Sequence, residues 1–116
     1  EILVANAPGG SEAETLEKLV SHKWRYRRLE ENGQMFSLPP EELGLEFHFK
    51  RDGTVTMTPP KNAAIDGTWK YTHKKRQLSI TFKDKDPHIS TVEFGVMGDL
   101  KLVDKSVAQV FDKVRL

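Results

Sequence analysis

Leu45-Glu46-Phe47-His48-Phe49-Lys50-Arg51-Asp52-Gly53-Thr54-Val55-Thr56-Met57-Thr58 alternates apolar and polar residues on both sides of an Asp-Gly pair. Alternation with period two marks a half-buried strand. Asp-Gly between two such runs marks a tight hairpin turn. Leu45, Phe47 and Phe49 share one face of the first strand, and Val55 and Met57 continue it on the second. His48 lies with Glu46 and Lys50 on the polar face. The stretch is therefore a one-sided antiparallel unit, and its apolar face needs a cover.

The same period runs outward in both directions. Trp24, Tyr26 and Arg28 point one way, with Lys23, Arg25 and Arg27 opposite. Downstream come Trp69 and Tyr71, then Leu78, Ile80 and Phe82, then Val92, Phe94 and Val96, then Leu100 and Leu102. The last inward set is Val110, Val114 and Leu116. Most connections are tight and polar: Lys74-Lys75-Arg76, Lys85-Asp86-Pro87, Met97-Gly98-Asp99 and Asp104-Lys105-Ser106. Connections this short join only antiparallel neighbours. One small helix cannot cover so many one-sided strands, whereas closing the sheet on itself does, and it removes exposed edges. The expected fold is all-β: an up-and-down antiparallel eight-stranded barrel with one short N-terminal helix. A two-sheet sandwich is the rival, but it needs long crossovers, and none follows Leu45.

The chain has 116 residues, which suits one domain. Apolar residues at 37% and charged residues at 30% exclude the disordered class. A formal charge of +1 gives no field for nucleic acid. There is no cysteine, which removes disulfides and thiolate chemistry together. No apolar run has the length a membrane span needs.

Two segments bracket the first strand. Residues 1–10, EILVANAPGG, read as a tail or linker, because Pro8-Gly9-Gly10 breaks regular structure. The alternative is a tail that adds as a strand to a partner, or inserts into one. The barrel domain then covers residues 11–116. Ser11 and Glu14 form a capping box, and Ala13, Leu16, Leu19 and Val20 share one helical face that ends near His22. Residues 31–44, ENGQMFSLPPEELG, form a long loop carrying Met35, Phe36, Leu38 and Leu43 around Pro39-Pro40. A loop of that length is either a lid over a binding site or a cap on one barrel end.

A short helix, a strand opening His22-Lys23-Trp24, a long first loop, an eight-stranded meander and an Arg in the final KVRL resemble the calycin or lipocalin-like proteins, in particular the small lipocalin-like domains of exported bacterial proteins. The resemblance covers about Glu14 to Leu116. It implies a Trp on the first strand, matched by Trp24, and a basic residue on the last strand that stacks across it, matched by Arg115. His22 stands where the family's Gly would be, which is a departure. The resemblance also implies an exported protein (periplasmic, cell-surface or secreted), its signal removed before residue 1 and a lipid anchor upstream one version of this.

Catalytic patterns are missing from the sequence. His22, His48, His73 and His88 show no metal-ligand spacing, and no serine has a nucleophile-elbow context. The expectation is a monomeric non-enzyme without cofactor or metal. Arg28 and Asp112 interrupt the inward stripe. They read as a structural ion pair between first and last strands, as a bulge that turns both to water, or as a ligand anchor. Three functions stay open. The first is a carrier of a small apolar ligand in the barrel mouth, lined by Tyr26, Arg28, Met35, Phe36, Met57, Tyr71 and Asp112. The second is an inhibitor-like protein-binding module working through residues 1–10. The third is a structural domain.

Overall fold

A computed structural model describes residues 11–116, so the tail or linker at residues 1–10 lies outside the described residues. The chain forms α1 (Glu12–Val20), β1 (Lys23–Glu31), β2 (Gln34–Phe36), β3 (Glu46–Phe49), β4 (Thr54–Thr58), β5 (Ile65–Thr72), β6 (Gln77–Phe82), β7 (His88–Phe94), β8 (Leu100–Asp104) and β9 (Val107–Val114). Each of β3 to β8 pairs with the next, and β1 pairs with both β3 and β9. Eight antiparallel strands thus close into a barrel. This closure excludes the sandwich.

β2 is a ninth strand that lies outside the ring, inside what the sequence presents as a loop. It pairs with the last three residues of β1, Leu29 facing Phe36 and Glu31 facing Gln34. The turn between them is Asn32-Gly33, with φ of 53° and 81°. Both values belong to the left-handed region that hairpin turns of the primed type require, and Asn-Gly is the dipeptide that best supplies them.

The helix closes one end of the barrel. Ser11 accepts from the Glu14 amide and Glu14 accepts from the Ser11 amide, each at 3.2 Å. This box satisfies two of the free amides at the helix start. Leu19 and Val20 are buried against the barrel. The indole Nε1 of Trp24 donates to the Leu19 carbonyl at 3.0 Å, so helix and first strand are joined by a buried hydrogen bond. Trp24 itself is 1% exposed.

Aromatic rings fill the interior above the helix. Tyr26 stacks on Phe111 at 4.9 Å, Phe47 meets Phe49 at 5.8 Å, and Phe49 stands edge-on to Trp69 at 5.5 Å. The hairpin at Asp52-Gly53 is pinned by Trp69, whose Nε1 donates to the Lys50 carbonyl at 2.9 Å.

The register corrects three sequence expectations. Tyr26 faces Phe111, but the next paired residue of β1, Arg28, faces Val110. Arg27 is the extra residue of a β-bulge, and one extra residue reverses which positions point inward. Beyond the bulge Leu29 points in, while Arg28 and Glu30 point out. On β9 the inward set is Val107, Gln109 and Phe111, not Val110, Val114 and Leu116. Arg28 and Asp112 therefore do not meet in the barrel, and of the three readings the register shows the bulge, with both residues on the outside. Arg28 binds Glu30 at 2.8 Å, and Asp112 binds Arg27 at 3.2 Å, all on the outside. Val110 is 0% exposed although it faces out. Its cross-strand neighbours are Arg28 and Lys101, both of which pair with Glu30. Their stems cover the valine while the charges neutralise one another.

Arg115 is the third correction. It lies past the end of β9 and is exposed. The rings beside Trp24 are His22 and Phe94, and the residue facing Trp24 across β1 and β9 is Lys113.

Trp24→Ala should cost about 3–5 kcal/mol in denaturant unfolding, the range for large buried aromatics. A loss below about 1 kcal/mol would show that Trp24 is not buried. Arg115→Ala should stay within about 0.5 kcal/mol of the parent.

Candidate functional site

Strand directions give the barrel two unlike ends. The helix, the start of β1 and the turns β3–β4, β5–β6 and β7–β8 share one end. The turns β1–β2, β4–β5, β6–β7 and β8–β9 share the other, called here the mouth. Tyr26 and Phe111 stack across the interior below it.

A cavity of about 470 Å³ opens at the mouth between β1, β7, β8 and β9. Leu29, Leu102 and Val107 give it apolar walls. Glu31, His88, Asp104 and Gln109 give it a polar rim. All seven sit at inward positions of their strands, Leu29 and Glu31 because of the bulge and the others by regular alternation. Leu102 is buried, so the cavity reaches down to the core. Gln109 Nε2 donates to the Tyr26 hydroxyl at 3.4 Å and so links the rim to the ring stack. The β1–β2 and β8–β9 turns touch through the Asn32 amide, which donates to the Ser106 carbonyl at 3.4 Å.

The sequence-derived residues are spread over the molecule. Tyr26 is buried under the mouth. Arg28, Met35 and Phe36 meet at a different cavity, about 230 Å³, on the flank between the bulge and residues 35–43. Met35 and Phe36 are exposed on β2. Met57 is half-buried on the inner face of β4, opposite Phe47. Tyr71 is at the helix end, where its hydroxyl bonds His73 Nδ1 at 2.9 Å. Asp112 is on the outside. The residues that sequence reading missed are Glu31, His88, Asp104 and Gln109. They are polar, and an apolar stripe does not mark them. Extending the alternation Ser90-Val92-Phe94 back by two residues would have placed His88 inward.

Two titratable groups illustrate the two environments. Burial pushes the Tyr26 phenol above its usual range, against the bond from Gln109. On the outside, the Arg28 guanidinium holds the Glu30 carboxyl below the usual carboxylate range, with help from Lys101. Among the described residues no three His, Asp or Glu side chains gather in a group that could hold a metal ion. Among the same residues no helix is long and apolar enough to cross a membrane.

No family model matches the chain, and no curated protein matches it. Among solved structures, a DUF4847 family protein from Bacteroides vulgatus ATCC 8482 is similar, with a TM-score of 0.65 and 19% sequence identity. The match covers 87% of this chain and 99% of that one. At this identity the likeness carries the fold alone, and a closed eight-stranded antiparallel barrel fits a calycin-like fold.

Because Tyr26 keeps its proton more tightly folded than unfolded, the stability it contributes is complete below pH 10 and is lost as the pH rises past its raised folded value. Urea unfolding at pH 8 and pH 11 should therefore show a larger alkaline loss for the parent than for Tyr26→Phe. Equal losses would show that Tyr26 is not the group responsible.

Proposed function

We propose that this barrel is a non-catalytic binder of a small, compact, amphipathic molecule held in the mouth. The observation that carries this reading is the 470 Å³ cavity with an apolar wall and a polar rim. Ligand pockets fall at about 300–1,000 Å³ and combine mostly apolar walls with a few placed polar groups. The flank cavity beside Met35 and Phe36 falls below that range. The interior under the mouth is filled by Tyr26, Phe47, Phe49 and Phe111, so a long chain has no axial channel to enter. Glu31 and Asp104 at the rim favour a ligand with hydrogen-bond donors or a positive group, rather than the wholly apolar ligand the resemblance implies. The resemblance supports an exported setting. A protein-binding role for residues 1–10 remains the second reading, and deleting them separates the two: a ligand binder keeps its ligand, and an inhibitor-like module loses its target.

The test is a titration with Nile red, a neutral dye whose emission rises in apolar pockets, alongside native mass spectrometry of the purified protein. Val107→Trp, which fills the mouth, should weaken dye binding by about tenfold or more, equivalent to about 1.4 kcal/mol. Met35→Ala should leave it unchanged. Loss of binding in Met35→Ala alone would move the site to the flank. A parent protein that binds no dye and carries no co-purifying molecule would overturn the reading.

A further inference from the structure

We propose that the helix end of the barrel carries a separate site for a small organic anion, a carboxylate on a compact planar or apolar body. A cup of about 240 Å³ lies there, away from the mouth. Trp24 and Phe94 line it with rings. The indole N–H is already committed to the Leu19 carbonyl, which leaves the ring system for packing.

Lys18 on α1 and Lys113 on β9 line the cup. The Lys18 Nζ lies 4.9 Å from the centre of the Phe94 ring. The Lys113 Nζ lies over Gly98, where a Cβ would come within 2.7 Å of it. Gly98 also has φ of 83°. The turn therefore needs glycine for its own backbone, and the lysine end lies where a side chain there would displace it. Among the described residues neither lysine has a carboxylate at ion-pair distance, although Lys18 interacts with Glu14 one turn back along the helix. His22 lines the same cup, and its Nδ1 is buried without a hydrogen-bond partner. Buried polar atoms are nearly always satisfied, so this nitrogen calls for a hydrogen-bond partner from water or from a bound molecule.

Two acids lie near the cup without forming an ion pair with either lysine: Glu14, which interacts with Lys18 along the helix, and Asp99. Asp99 packs against Gly95 on the β7–β8 turn, and Glu14 caps Ser11. Two lysines and a histidine over an aromatic floor suit a carboxylate with a flat apolar body. The volume is smaller than a drug-sized pocket, which sets the ligand at fragment size.

The test uses the full ¹⁵N-labelled chain at low ionic strength, titrated with sodium benzoate and, separately, with benzyl alcohol. Benzoate should shift the Trp24 indole and the Gly95 and Gly98 amides, and leave the Trp69 indole unmoved. It should bind about tenfold or more tightly than the alcohol, a difference expected of a charge-assisted contact. The double variant Lys18→Gln, Lys113→Gln should bring benzoate down to the level of the alcohol. Both lysines are exposed, and unchanged mouth resonances and melting will verify the fold. Equal binding of acid and alcohol, shifts spread over other surface lysines, or benzoate binding that survives the double variant would each overturn the proposal. A failure of the mouth to bind Nile red leaves this result untouched.

Discussion

The pairing of β1 with β9 is the constraint on which the molecule depends. A meander of one-sided strands leaves an apolar face and two open edges, and a nine-residue helix covers little of either. Joining first strand to last solves both problems at once. β1 carries much of this burden. It bonds β9 along most of its length, β3 with its first half and β2 with its last residues. Trp24, near its start, also bonds the helix.

The bulge at Arg27 falls where β1 changes partners on one edge. Below it, β1 lies between β9 and β3. Above it, β1 leaves β3 and continues with β9 and β2. The shift in parity has consequences on both faces. Inside, it brings Leu29 and Glu31 to the mouth. Outside, it stacks Arg28, Glu30 and Lys101 over Val110. A single inserted residue thus brings Glu31 to the polar rim of the cavity and places a charged cover over an apolar side chain.

The two ends differ in kind because the rings are not spread evenly. Trp24, Phe49, Trp69 and Phe94 gather toward the helix, and the Tyr26–Phe111 stack caps them. Above that stack the inward residues become smaller or polar, and space remains. At the helix end space remains beside the rings, in the cup by Lys18 and Lys113.

Much of this was legible in the residues. Period-two alternation, Asp52-Gly53 and the short turns determined an antiparallel meander, and the count of apolar faces against one helix determined closure. The Ser11–Glu14 box determined the helix start. Asn32-Gly33 was equally plain in ENGQMF, and the Pro39-Pro40 loop that follows masked it. The orientation of Arg28, Val110 and Asp112 was a different matter. β9 is apolar on both faces, with Val110 and Phe111 adjacent and both buried, so alternation alone does not say which one points in. A bulge leaves no composition signal at Arg27, since it is a mismatch between two strands rather than a property of one. The sequence by itself therefore determined the architecture, because periodicity and turn chemistry are local. Only the tertiary structure decided the lining of the mouth and the partner of Trp24, because both follow from the register in which distant strands meet.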